Sequence, residues 1–291
     1  MSCTAQIPVK EIRFPNGKIC ILLDSVAAGK AITFDKRDGY FEKVGASEMS
    51  IQIQKPLTEG QTREAILPDY IEFLKTDVEG FSPDESKFIE GVMEKVFRTV
   101  NDVSPNIFPD TLLLIKTKGK HYGDGVWYTR ENCIIIPADE LGRRKTNPFT
   151  TTMYHELFHV WSRLNPAKSA RTYQLIGFEG IGYENLILPP GLAAQAMYNP
   201  DGVDFAQKIA LAQADSSTIY AVPIIYANNL GWTEVQNTFF AYVEFSLFQI
   251  EKQPNGKWMV RVKEDGFSST LNMQDQKDFF RQIKDNTGYI I

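Results

Sequence analysis

The segment 147–165 constrains this chain more than any other. Asn147-Pro148 opens it and Asn165-Pro166 closes it. Asparagine caps helices and proline suits their first turn, while a residue that precedes proline is pushed away from helical angles. These marks predict a helix of about 17 residues, roughly 25 Å long. Leu157, Val160, Trp161 and Leu164 fall on one side of it, and Glu156 is the only carboxylate or basic side chain between Thr150 and Ser162. A helix so poor in charge is expected to be buried. On another face His155 and His159 stand one turn apart, so their imidazoles project side by side.

Two such imidazoles can reach one ion at about 2.0–2.1 Å. Glu156, next to the first histidine, lies too far round the helix to be a natural third ligand. It is placed instead to act as general base on an attacking water and to hand the proton to a leaving nitrogen. The pattern His155-Glu156-Leu157-Phe158-His159 therefore points to Zn2+ as cofactor, with His155 and His159 as metal ligands and Glu156 as the catalytic group. The chain holds three histidines, and two are in the motif.

This motif resembles the signature of the zincin metallopeptidases. Tyr128-Thr129-Arg130, the run from Tyr173 to Phe178, Asn199-Pro200-Asp201 and the closing run from Asn286 to Ile291 are similar to a set of bacterial zincin-like proteins, over a stretch from about 80 to the end. The resemblance implies a mixed β-sheet packed on the active-site helix, with an edge strand that aligns an extended peptide. The segment 132–136, preceded by Trp127 to Arg130, is the candidate for that edge, with an ordinary buried strand as the other reading. A gluzincin arrangement, with a glutamate as third ligand, is also implied. In the similar proteins the closing segment leads into a Glu-bearing helix, so this chain reads as truncated, with the third ligand beyond Ile291.

A catalytic zinc site takes three protein ligands and a water. No histidine follows His159, and His121 lies in a Gly-rich loop from Gly119 to Gly125. Glu179, Glu184, Asp201 and Glu244 are the acidic candidates, Glu179 foremost at 20 residues past His159, each with a solvated carboxylate as the alternative. Peptide deformylase shares the His-Glu pattern with an upstream cysteine ligand, which would be Cys133, but its flanking motifs are missing. Tyr226, Tyr289 and Arg163 are of the types that stabilise an oxyanion. The alternative function is a degenerate zincin that binds a peptide or partner without cutting it.

The fold class expected is α+β: a mainly β N-terminal part at 1–66 and a zincin-like domain at 67–291. Strands are expected at 18–23, 50–54, 111–115 and 132–136, and a hairpin over 235–263 that turns at Pro254-Asn255-Gly256. Ser82-Pro83-Asp84-Glu85 marks a helix start with a capping box. Residues 177–204 read as a long irregular connection, and 274–283 as a last helix. A net charge of −5 with mixed signs and no basic stripe argues against nucleic acid as partner. No apolar run is long enough for a membrane span. The N-terminus shows no signal peptide, so the chain reads as cytoplasmic, with a secreted form that has lost its signal left open. Cys3, Cys20 and Cys133 are too few and too scattered for a disulfide framework. The partner expected is a peptide or protein substrate, and the oligomeric state is left open.

Overall fold

A computed structural model describes residues 10–202, 205–236, 238–272 and 275–276. Among them the chain is α+β, with nine α-helices and two mixed sheets. None of these helices is long and apolar enough to cross a membrane. The chain divides into two units. The first holds residues 1–41, 52–54 and 64–165; the second holds 42–51, 55–63 and 166–291. These units differ from the expected parts 1–66 and 67–291. The expected β-rich start is corrected: after strands β1 (Lys10–Arg13) and β2 (Ile19–Leu22) come helices α1 (Ser25–Ile32), α2 (Tyr40–Lys43) and α3 (Ala46–Ile53).

The first unit continues with α4 (Arg63–Thr76), β3 (Val78–Glu79), α5 (Pro83–Val103), β4 (Thr111–Thr117), β5 (Tyr128–Arg130), β6 (Cys133–Pro137), α6 (Ala138–Arg143) and α7 (Thr146–Leu164). Its sheet runs β1-β2-β4-β6-β5, with β3 paired to β4. The centre is parallel (β2, β4, β6), while β1 and β5 run antiparallel at the ends. Because strand side chains alternate, Leu112, Leu114, Ile134 and Ile136 share one face. They pack there with Ile89, Val92, Met93 and Val96 of α5, and with Phe149, Met153, Leu157 and Val160 of α7. The expected start of α5 is present in full: Ser82 caps it, and Ser82 and Glu85 complete the capping box. Of the two readings of the segment 132–136, the buried strand is the one found: β6 lies inside the sheet, between β4 and β5, and β5 ends the order.

The second unit follows with α8 (Pro166–Leu175), β7 (Phe178–Gly180), β8 (Leu186–Ile187), α9 (Pro190–Gln195), β9 (Gln207–Ala212), β10 (Thr218–Ala227), β11 (Val243–Lys252), β12 (Trp258–Val260) and β13 (Thr270–Leu271). The stretch expected to be irregular thus carries two short strands and a helix. The expected hairpin is β11–β12, closed by the Gln253 N–H donating to the Lys257 carbonyl at 2.7 Å. The sheet order is β7-β9-β10-β11-β12-β8. Laid flat, its ends would stand about 24 Å apart, five strand spacings. Yet Gly180 and Leu186 are joined by five residues, of which Tyr183–Asn185 is a 3₁₀ turn, a link of about 16 Å. The sheet is therefore curled.

Within this unit the first turns of α3 are held tightly. Ser47 Oγ donates to the Asn229 carbonyl at 3.2 Å, the Glu48 carboxylate accepts from the Tyr198 N–H at 2.8 Å, and Ser50 Oγ accepts from the Trp232 N–H at 2.9 Å. Ile51 joins Met197, Ala227 and Tyr242 in a core cluster. Residues 277–291, which include most of the expected last helix, lie outside the described residues.

Candidate metal-binding helix

α7 carries the motif. Its end agrees with the sequence, but its start lies two residues earlier: Lys145 rather than Asn147 precedes the first turn, without a side-chain cap. The apolar side faces the sheet as expected. The opposite expectation, of a helix buried all round, holds only in part: His155 is exposed, while Glu156 and His159 are buried.

The two imidazoles converge. His155 Nε2 and His159 Nε2 stand 2.9 Å apart, with ring centroids 4.6 Å apart and ring planes near perpendicular. Nitrogens at that separation share a point about 2.0–2.1 Å from each, the bond length of a zinc–imidazole pair, with an angle of about 90° there. The donor chemistry suits zinc, while the 2.9 Å spacing is that of a hydrogen bond between the rings, shorter than the roughly 3.3 Å of two ligands on a tetrahedral ion. Glu156 stands on the adjoining residue with its carboxylate almost wholly out of water.

Among the described residues, no group of three or more His, Cys, Asp or Glu side chains forms a set that could hold a metal. Each sequence candidate for a third ligand has other surroundings. His121 is committed at both ring nitrogens: Nδ1 bonds to Asp77, and Nε2 lies 2.9 Å from the Tyr128 hydroxyl. Tyr128 pairs with Ile135, and Thr129 with Ile134, so Tyr128 and His121 belong to the sheet face away from α7. Cys133 alternates onto that same far face. Burial pushes its thiol up to about 12, with the nearby arginines only partly offsetting this, so it stays protonated at neutral pH and offers no thiolate. Glu179 is ion-paired with Lys208. Glu184 accepts a hydrogen bond from the Asn185 side-chain amide at 3.2 Å. Tyr289 lies outside the described residues.

Arg163 has a different use from the oxyanion role. It sits two turns past His155 on the same helical face. Its Nε bonds to Asp38, and its Nη1 donates to Thr129 Oγ1 at 3.0 Å and to the Glu131 carbonyl at 3.3 Å. Glu131 itself has φ 51° in the turn between β5 and β6. Its carboxylate accepts the N–H groups of Lys36 and Arg37 at 2.5 and 2.8 Å. A closed ring of bonds thus ties the end of α7, the edge strand β5 and the loop at 36–38. Neither Asp38 nor Glu131 was singled out in the sequence.

Comparison with protein-family models, with curated proteins and with solved structures finds no match to this chain.

Proposed function

We propose that the chain is a zinc-dependent hydrolase of peptide bonds, of zincin type. The observation that carries this reading is the convergence of His155 Nε2 and His159 Nε2 at 2.9 Å beside the buried Glu156. The surroundings support it. α7 packs on a mixed sheet together with α5, and the sheet ends on an antiparallel strand, β5, held in register with the helix by Arg163.

Bound zinc would supply Lewis acidity, lowering the pKa of water and polarising the scissile carbonyl. Glu156 takes the proton of the attacking water and returns it to the departing amine. Its burial strengthens this role by keeping competing solvent away from the carboxylate. His155 and His159 would hold the metal. Arg163 ties β5 to the end of the helix.

A second reading, a degenerate zincin that binds peptides without cutting them, is favoured by one observation: the described residues bring no third donor to the histidine pair. Metal analysis with a peptide-hydrolysis assay decides. Hydrolysis predicts one zinc per chain, lost in His155→Ala and His159→Ala, and retained in Glu156→Gln with turnover down about 10²–10⁴-fold. Full zinc in an inactive wild type favours the binding module. A chain that takes up no zinc at neutral pH overturns the hydrolase, and the binding module is overturned if no peptide binds either.

A further inference from the structure

The curled sheet of the second unit bears an open groove of about 840 Å³, within the range of about 300–1,000 Å³ typical of small-molecule and cofactor pockets. Its chemistry follows from the register. Tyr220 pairs with both Ala210 and Ile250, and Lys252 pairs with Trp258. Side chains two apart on a strand share a face, so Lys208, Tyr220, Lys252 and Trp258 all project to one side. The opposite side, with Ile209, Leu211, Ala221 and Leu247, is a core. Four strands thus contribute to one wall, and the link between β7 and β8 adds Ile181 and Asn185.

That wall is aromatic and polar. The Tyr220 and Trp258 rings, both half-buried, meet edge to face at 5.0 Å. The Lys208 ammonium sits 5.1 and 5.5 Å from their centroids and is ion-paired with Glu179. The charged side chains on this face are Glu179, Lys208 and Lys252; Glu251, between Ile250 and Lys252, turns to the other face and pairs with Arg261. Mixed signs on the wall disfavour a polyanion, which needs one sign of charge throughout. The location disfavours backbone recognition, because the strands flooring the groove already pair their N–H and C=O groups within the ladders. A ligand here is read by ring faces and by polar tips, among them the amides of Asn185 and Asn255. A sugar ring meets that demand, with an apolar C–H face for the indole and a rim of hydroxyls for the amides and carboxylates.

We propose that the concave face of the curled sheet is a binding site for a neutral saccharide chain, with Trp258 as its stacking platform. The site is independent of the histidine pair. The test titrates the whole chain with maltohexaose, cellohexaose and chitohexaose, by calorimetry and by the indole N–H signals in NMR. At least one of the three binds saturably and moves the Trp258 indole signal. Trp258→Phe retains binding, Trp258→Ala weakens it about tenfold or more, and Asn255→Ala, in the exposed turn, weakens it while leaving the core untouched. His155→Ala changes nothing, which separates this site from the zinc reading. Absence of saturable binding by all three sugars, or equal affinity in Trp258→Ala and wild type, overturns the assignment.

Discussion

Single residues here divide between chemistry and clamping. His155, Glu156 and His159 were legible because the His-Glu pattern needs only helical periodicity to bring its groups together. Arg163 was legible only as a type of residue, because its use depends on Asp38 and Glu131, which lie 125 and 32 positions away in sequence. Its guanidinium is a planar fork that spans three acceptors, which an ammonium cannot copy. Arg163→Lys is therefore expected to retain zinc and keep the fold, yet to lower peptide turnover and speed amide hydrogen exchange at 128–131. Exchange unchanged from wild type would show that β5 needs no such tie. The thiols give a second check at this scale. Cys20 and Cys133 are both buried, and burial pushes both up, Cys20 the further. Neither should react with Ellman's reagent in the native chain at pH 8, and both should react once urea unfolds it.

Elements were legible where burial is one-sided. α5 announces itself because its apolar stripe faces the sheet and its start is punctuated by Ser82-Pro83. β4 and β6 read as continuous apolar runs because both their faces are covered. α3 shows the opposite case. Its Ser-Ile-Gln-Ile-Gln run alternates and reads as a strand, but the structure makes it a helix through Ile53. Every residue from Ser47 to Ile53 is buried, so the polar ones carry no sign of a wet face, and a helix without a wet face shows no 3.6-residue pattern. Its close packing also fixes Gly231, which has φ +93° and where an added Cβ would meet Ser50 Oγ at 3.0 Å and Leu57 at 3.1 Å. Gly231→Ala should destabilise the second unit by about 1 kcal/mol or more, read from urea unfolding. The start of α5 gives a pH test. Burial pushes the Glu85 carboxyl up, but the Ser82 N–H and the Lys116 ammonium, 2.9 Å away, outweigh it and leave the group below its usual range. A carboxyl lowered on folding stabilises above its unfolded pKa, about 4.3, and loses that contribution as pH falls through the folded value. Glu85→Gln should therefore cost about 1 kcal/mol at pH 7, and its deficit should fade as the pH drops below about 4.

For the whole molecule, the order of segments matters as much as their structure. The sequence suggested a boundary at 66, because composition changes there from short apolar runs to helical stripes. The contacts divide otherwise, since residues 42–51 and 55–63 belong with 166–291. A pairing across about 100 residues leaves no local trace in the sequence. A chain of residues 166–291 alone should lack the Glu48 carboxylate bound to the Tyr198 N–H, the serine bonds to 229–232 and Ile51 of the Tyr242 cluster. It is expected to show weak near-ultraviolet dichroism and no cooperative melt, and a synthetic peptide of residues 42–63 should restore both; a cooperative melt without the peptide would contradict the division. The same interleaving has a consequence on the ribosome. At about 5–20 residues per second, residues 42–63 emerge roughly 5–20 s before Pro166, and the strands they pack with come later still. Met49 and Ile51, enclosed in the finished fold, are exposed for all of that time, so a vulnerable interval opens as they emerge and closes only once the strands after Pro166 have been made.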